Sequence, residues 1–285
     1  MKKIPFVKMH WTWNDFIIIN QDDLDRLNIA LNSDFVKKIC DRNYWIWSDW
    51  ILVITVWDKS NWYNYVMYNP DFSRPEMCWN WIRCYMKYLV NNSLIEWDSV
   101  NVWTDIWTLN LKIKNDDVIV DMWKPSKIND FNFSNKNLWE KFALKSKWRD
   151  FVFMPVSMWN PHAVIFLQDE SLETFDLHLY GYDIENKLDI FPNRVNVEFI
   201  KVLSDKEIDM RVWERWAWET LACWTWACAS VVAWILSWRL SINSFIKVNL
   251  KWWNLWVKWS WEEKDSVIMK WWAETTFEWN YFVKE

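Results

Sequence analysis

Thirty-one Trp residues and a single Gly, Gly181, constrain what these 285 residues can fold into more than any motif does. An ordinary chain of this length carries about 20 Gly, roughly 7%. Turns and close backbone approaches need φ > 0 or the absence of a Cβ, and Trp is among the worst residues for such places. The Trp residues nevertheless sit in turn-like surroundings. Examples are His10-Trp11-Thr12-Trp13-Asn14-Asp15, Trp45-Ile46-Trp47-Ser48-Asp49-Trp50, Cys78-Trp79-Asn80-Trp81, Met158-Trp159-Asn160-Pro161, Arg215-Trp216-Ala217-Trp218-Glu219 and Cys223-Trp224-Thr225-Trp226. The neighbouring Asn, Asp, Ser and Thr are turn formers, and the residue such turns most need is Gly. The expectation is that most of these Trp letters stand where the working protein has Gly, through a codon read as Gly in its source or through deliberate substitution.

The length suits two domains of ordinary size. Hydrophobic residues make up 52% and charged residues 25%, enough for a sizeable core and too apolar for disorder. Lys and Arg total 33 against 38 Asp and Glu, a net charge of -5, which excludes the basic excess of a nucleic-acid binder. Met1-Lys2-Lys3-Ile4-Pro5-Phe6-Val7-Lys8 begins basic but lacks the apolar stretch of a signal peptide. Residues 221–238 reach membrane-span length without a charge, but two Cys, Thr and Ser among them, and Trp-inflated hydropathy, make a buried core helix the better reading. No membrane partner is expected. The five Cys (Cys40, Cys78, Cys84, Cys223 and Cys228) are odd in number. Without an export signal, free thiols in a reducing cytoplasm are the default.

Apolar periodicity predicts a mixed α/β chain. Residues 16–19 and 51–54 are short apolar runs, and between them Leu24, Leu27, Leu31, Phe35 and Ile39 recur at helical spacing. Residues 63–68 read as a strand, Ile82, Tyr85, Met86 and Leu89 as a helix, and 109–113 and 118–120 as strands. Lys124-Pro125 and the Asn-, Lys- and Ser-rich stretch through Lys136 mark the best domain boundary. The second half repeats the style, with strands at 151–156, 163–167, 195–202 and 208–212, a long apolar helix from about 223 to 236, and strands at 245–250 and 267–269. The domains expected are 1–124 with about 270–285, carrying Cys78, and 125–269, carrying Cys223.

The two halves share a signature. Cys78-Trp79-Asn80-Trp81-Ile82-Arg83-Cys84 matches Cys223-Trp224-Thr225-Trp226-Ala227-Cys228, and the leading Cys residues lie 145 positions apart. Each motif opens an apolar helix. Such self-similarity marks a duplicated fold with a pseudo-two-fold axis, which would bring two equivalent helix N-termini to a domain interface, a usual place for a small-molecule site. A helix N-terminus lowers a thiol pKa and can bind a carboxylate. Two thiols facing one carbon from opposite sides form a two-base device: one thiolate removes a proton, the other thiol donates one, and the centre inverts without a cofactor. The intra-motif gaps and the lack of a metal-spaced His pair disfavour zinc. Buried structural thiols, or a disulfide between Cys78 and Cys223, are readings the residues alone leave open.

With the suspect Trp read as Gly, residues 10–16, 45–52, 68–83, 156–164, 191–197 and 211–229 resemble the diaminopimelate epimerase family. The resemblance runs through both halves. Proline racemases share the two-Cys plan but carry His at the position of Asn80. The resemblance implies an α/β (α+β) fold of two pseudo-symmetric domains, each a curved mixed β-sheet wrapped around a central helix. It implies a cytoplasmic, cofactor-independent, metal-free epimerase that interconverts LL- and meso-2,6-diaminopimelate on the route to lysine and peptidoglycan. Cys78 and Cys223 match the family's catalytic pair. Asn14, Asn69, Asn160, Asn196, Glu214 and Arg215 match its substrate-binding positions. Trp79-Asn80 and Trp224-Thr225 supply the backbone N–H groups for the reacting end. His162 follows Asn160-Pro161 as in the family, where it supports the site or is structural. The chain departs from the family at Phe72, which stands where Gly is usual, and at Trp50, where a polar residue or Gly is common. Trp213 precedes the Glu-Arg pair at a position that tolerates an aromatic, and reads as a genuine Trp. The alternatives are a related racemase or isomerase of the same fold, such as the phenazine-pathway relatives, and an inactive Trp-substituted version. Retention of both Cys argues against the former. A homodimer is left open. The intact mass of the protein isolated from its source should fall below that of the written sequence, and a mass that accounts for every indole would overturn the Gly reading.

Overall fold

The computed structural model describes residues 2–11, 14–43, 46–56, 62–74, 81–95, 98–103, 108–115, 117–126, 131, 140–219, 224–238, 243–262, 264–271 and 273–283. The chain divides into two compact units, residues 1–120 with 271–285, and residues 121–270.

The first unit holds β1 (Lys2–Trp11), β2 (Asn14–Asn20), α1 (Gln21–Arg26), α2 (Ser33–Cys40), β3 (Trp50–Val56), β4 (Trp62–Tyr68), α3 (Trp81–Asn91), β5 (Ser99–Trp103), β6 (Thr108–Lys114) and β7 (Asp117–Asp121). The apolar period from Leu24 to Ile39 predicts one helix, and two form. Asn20 caps α1 by accepting from the Asp22 N–H at 3.0 Å, and Asn28 breaks the run with φ 48°. Asn32 restarts it as α2, accepting from the Phe35 N–H at 2.9 Å. A side-chain oxygen that satisfies a first-turn N–H decides where a helix begins, and the hydrophobic period alone does not see it. Phe35, Val36 and Ile39 of α2 then pack on Ile17, Ile19, Ile51 and Val53.

The second unit holds β8 (Phe142–Ser146), β9 (Arg149–Ser157), β10 (Pro161–Phe166), α4 (Leu177–Glu185), β11 (Asn196–Ser204), β12 (Glu207–Glu214), β13 (Trp218–Glu219), α5 (Trp224–Trp238), β14 (Ile246–Asn249), β15 (Asn254–Lys258) and β16 (Ile268–Trp271). Strand β17 (Glu274–Val283) returns to the first unit and pairs with β1.

The two ladders are built alike. In the first unit the order β17-β1-β2-β3-β4-β5-β6-β7 runs antiparallel, antiparallel, parallel, antiparallel, parallel, antiparallel, antiparallel. In the second, β8-β9-β10-β11-β12-β14-β15-β16 shows the same orientations in the same order. The registers correspond too. Phe16 opposite Trp50 and Ile51 opposite Tyr68 are matched by His162 opposite Asn196 and Val197 opposite Trp213. The mixed sheet of the second unit curls around α5, which touches β9, β10, β11, β12, β14 and β15. A helix about 10–12 Å across can reach that many strands, spaced about 4.8 Å apart, only if the sheet wraps it. Helix α3 takes the same role in the first unit, against β1, β2, β6 and β17. Ala227, Cys228, Ala229, Val231, Val232 and Ile235 of α5 are fully buried, and among the described residues no helix is long and apolar enough to cross a membrane.

The backbone sorts the Trp residues. Trp47, Trp123, Trp159, Trp216, Trp218 and Trp261 all take φ between 60° and 72°. An L-residue with a Cβ is strained there by about 1–2 kcal/mol. Six such residues consume an amount comparable with the whole stability of a domain, about 5–15 kcal/mol. Burial offsets little of it, because the rings of Trp47, Trp159, Trp216 and Trp218 are half or more exposed. Phe72 shares this conformation at φ 72° and stacks on Tyr68. Trp213 is the opposite case. Its indole lies on α4 over Gly181, where a Cβ would come within 2.5 Å of the Trp213 Cβ. Its Nε1 donates to the buried Glu185 carboxylate at 2.7 Å. The one Gly in the sequence and this Trp are fitted to each other. Replacing Trp47, Trp159, Trp216 or Trp218 singly by Gly should raise stability by up to about 1–2 kcal/mol each. Trp213→Ala should lower it by about 3–5 kcal/mol. Equilibrium urea unfolding of the single variants checks both signs, and destabilisation by the Gly replacements would refute the strain argument.

Candidate active site

In the second unit, Asn160, Asn196, Arg215 and Thr225 are tied in by hydrogen bonds, and Glu214 adjoins them in the chain. Asn160 precedes β10, Asn196 opens β11, Glu214 closes β12, Arg215 follows it, and Thr225 lies in the first turn of α5. The Asn160 Nδ2 donates to Thr225 Oγ1 at 3.2 Å. Asn196 is buried and holds two neighbouring segments: its Nδ2 donates to the Pro161 carbonyl at 3.0 Å, and its Oδ1 accepts from the Arg215 backbone N–H at 2.9 Å. Arg215 Nη1 donates to the Asn193 carbonyl at 3.1 Å. The turn carrying Glu214 and Arg215 is fixed from its far side by Arg211, whose Nε and Nη2 grip the Glu219 carboxylate at 2.9 and 3.0 Å. That planar two-point pairing is the strongest form of charge-assisted hydrogen bond. Trp224, beside Thr225, is buried.

Behind Asn160 lies a buried chain. His162 Nε2 is 2.8 Å from Asn160 Oδ1, and His162 Nδ1 is 2.7 Å from Glu198 Oε1. Both His162 and Glu198 are 0% exposed. Burial pushes the Glu198 carboxyl above its ordinary range, against the opposing pull of His162. Sequence reasoning weighed His162 but missed Glu198. The available signal was a charged residue flanked by Val197 and Phe199 in an otherwise apolar run from Val197 to Ile200.

In the first unit the corresponding positions carry Asn14, at the start of β2, and Asn69, just after β4. Register places Asn14 where the second unit has Asn160, Trp50 where it has Asn196, and Asn69 where it has Glu214. Asn69 anchors a tight turn: its Nδ2 donates to Ser73 Oγ at 2.8 Å and its backbone N–H to the Ser73 carbonyl at 2.9 Å. Its Oδ1 accepts from the Trp50 indole at 2.7 Å. Next to Asn14, Asp15 accepts from the buried Lys8 Nζ at 2.6 Å and from the Asp49 N–H at 2.8 Å, while Arg42 pairs with Asp49. Burial lowers the Lys8 pKa against the pull of Asp15, and burial followed by the nearby Asp15 raises that of Asp49. This cluster pins the ends of β1, β2 and β3 beside Asn14.

Cys78, Trp79, Asn80 and Cys223 lie outside the described residues. Cys223 immediately precedes α5 in the chain, and Cys78 comes three residues before α3. The other thiols, Cys40, Cys84 and Cys228, are buried. Burial pushes the Cys40 thiol up to about 12.

Comparison with known proteins bears on the family and the fold. The family model described as diaminopimelate epimerase matches residues 6–128 and 154–270. The diaminopimelate epimerase of Desulfitobacterium hafniense is 34% identical over 275 residues, covering 93% of this chain and 94% of the relative. That of Carboxydothermus hydrogenoformans is 35% identical over 286 residues, covering 98% and 100%. Among solved structures, a methylitaconate-delta-isomerase superposes with a TM-score of 0.68 at 11% identity over 98% of this chain and 95% of its own. A Bacillus anthracis phenazine biosynthesis protein of the PhzF family does so with a TM-score of 0.64 at 12% identity over 99% and 100%. The distant structures establish the shared fold. The family model and the sequence relatives go further, and by them this chain is an isomerase that belongs to the diaminopimelate epimerase family.

Proposed function

We propose that the chain interconverts LL- and meso-2,6-diaminopimelate by proton transfer at the α-carbon, with Cys78 and Cys223 as the acid–base pair and no cofactor. The observation that carries the reading is family membership over nearly the whole chain, with both Cys kept at the heads of equivalent helices. One thiolate takes the α-proton from one face. The other thiol delivers a proton to the opposite face and becomes the thiolate, and the product is the inverted centre. The partial positive charge at a helix N-terminus favours a thiolate in front of α3 and α5. The reaction belongs in the reducing cytoplasm, where such thiols persist, and supplies lysine and peptidoglycan precursors. The working enzyme carries Gly at the left-handed Trp positions, where that residue removes the strain.

The substrate has two identical amino acid ends, so one must be held while the other reacts. Arg215 suits the distal carboxylate and Glu214 the ammonium, with Asn160 and Asn196 from the same unit; Asn14 and Asn69, on the equivalent turns of the first unit, complete the proposed binding set. The bonds from Asn196 and Asn193 to Arg215 preset where its guanidinium starts.

Incorporation of solvent deuterium at the α-position of diaminopimelate tests the reaction directly. Cys78→Ala or Cys223→Ala should each lower epimerisation by at least roughly 10²–10⁴-fold, the usual contribution of a general acid or base. Cys40, Cys84 and Cys228 should tolerate replacement with activity kept, and should alkylate slowly in the native protein. Full turnover in Cys223→Ala would end the two-base reading.

Arg215→Lys keeps the charge but loses the planar fork, so kcat/KM should fall. Arg215→Met should fall further, by about 2–5 kcal/mol of transition-state stabilisation, because a carboxylate is left unpaired. Alkylation of Cys78 and Cys223 should survive in both. Normal epimerisation by Arg215→Met would remove this residue from the grip.

A further inference from the structure

We propose that Glu198 is a positioning residue which, through His162, fixes the Asn160 carboxamide with its N–H groups turned toward Thr225 and the substrate, so that Asn160 meets a substrate carboxylate and not its ammonium. The inference rests on the reading that Asn160 contacts substrate.

The argument follows the protons. An amide group can be turned either way, and its neighbours decide which. At Asn160 the deciding neighbour is His162 Nε2. If Nε2 carries a proton, Oδ1 must face it. If Nε2 is bare, Nδ2 must face it. Glu198 determines which holds. Its carboxyl and the His162 ring are both fully buried, and Glu198 Oε2 has no hydrogen-bond partner among the described residues. A net charge left in such a place is strongly unfavourable. The pair is neutral overall, with each shared proton bonded, in two forms: a carboxylate with an imidazolium, or a carboxylic acid donating to the bare Nδ1 of a neutral ring; a third neutral form, with the acid proton on Oε2 and the ring proton on Nδ1, leaves a buried O–H with no acceptor among the described residues. The first two forms carry a proton on Nε2. The remaining form, a carboxylate beside a neutral ring protonated on Nδ1, leaves an uncompensated negative charge. Raising of the Glu198 pKa by burial acts in the same direction. With Nε2–H donating to Oδ1 at 2.8 Å, Nδ2 donates to Thr225 Oγ1 at 3.2 Å, and the second Nδ2–H is the group this chain of bonds does not use. An amide so held turns its N–H edge toward Thr225 and its carbonyl toward the buried His162 ring.

The duplicated fold provides an internal control. Register places Phe16 and Leu52 where the second unit has His162 and Glu198. Both are fully buried, and the same ladder forms around them. The scaffold therefore needs no polar pair at these positions, and Glu198→Leu reproduces a packing the chain already uses.

The test is made on the full-length chain with diaminopimelate as the probe. Glu198→Leu frees the His162 ring to take either tautomer and Asn160 to turn, and should raise KM by roughly 10- to 100-fold, the worth of a hydrogen bond to a charged group. Its kcat should change less, since the carboxylate is present in both ground and transition states. Glu198→Gln can donate from its amide to Nδ1 and keep the proton on Nε2, so it should restore the KM. Asn160→Asp offers only acceptors to a carboxylate and should be worse than Asn160→Ala. Long-range ¹H–¹⁵N spectra of the His162 ring, which need no substrate, should show Nε2 protonated in the native protein and a mixture in Glu198→Leu. An unchanged KM in folded Glu198→Leu, a Gln variant as damaged as the Leu one, or a bare Nε2 in the native spectrum would each overturn the proposal. A protonated Nε2 in a chain that never epimerises diaminopimelate would instead refute the substrate assignment and leave the orientation standing.

Discussion

The left-handed turn at the end of a strand is the constraint on which the site depends. Trp159, at φ 68°, delivers the chain into Asn160 and β10, and Trp216 and Trp218, at 71° and 72°, reverse it directly after Arg215. In the other unit Phe72 closes the turn that Asn69 opens, and Trp47 leads toward β3. Each of these turns lies within a few residues of one end of a strand, with a polar side chain beside it. Were the chain to leave β12 in an extended path, the Arg215 N–H would lose Asn196 and the guanidinium would start elsewhere. The Trp letters therefore fall on the site for a physical reason. The sharpest turns need Gly most, and the same turns carry the residues proposed to hold the substrate.

Parts of this were legible without coordinates. The second-half strands at 195–202 and 208–212 appear as β11 and β12, and the apolar run that becomes α5 has no competing pattern. The matched Cys motifs announced the duplication that the two ladders then display in orientation and register. Other elements left no such mark. Strand β1 carries Pro5 and alternates poorly, and its place beside β17 joins residues nearly the whole chain apart, a pairing that no local window contains. The break between α1 and α2 rests on Asn20, Asn28 and Asn32, whose caps and left-handed turn interrupt a hydrophobic period that itself continues.

Within the site, sequence resemblance pointed to the residues expected to face a ligand and passed over the one behind them. Asn160, Asn196 and Arg215 lie in short motifs. Glu198 touches His162 across 36 positions of chain, from a neighbouring strand, and its meaning exists only once β10 and β11 lie parallel with His162 opposite Asn196. A lone Glu in a strand reads as a solvent-facing residue until the strand is known to be covered on both faces.

That covering also limits what the Glu198–His162 pair can be for. Removing two ionisable groups from water costs several kcal/mol per charged group, and a well-packed apolar pair of similar volume is often as stable or more so. The first unit demonstrates the apolar solution at the matching positions, with Phe16 stacked on Trp50 at 5.4 Å and Leu52 buried beside it. A polar pair held where an apolar pair suffices for folding is not explained by stability. What distinguishes the second unit at this point is the next link outward: His162 reaches Asn160, and Asn160 reaches the first turn of α5, behind which Cys223 stands in the chain. Phe16 can orient no amide. The asymmetry between two otherwise equivalent ladders thus places the amide-orienting pair in the unit that carries Arg215 and Glu214, and leaves the other to hold its turn through Asn69 and the Lys8–Asp15–Asp49 cluster.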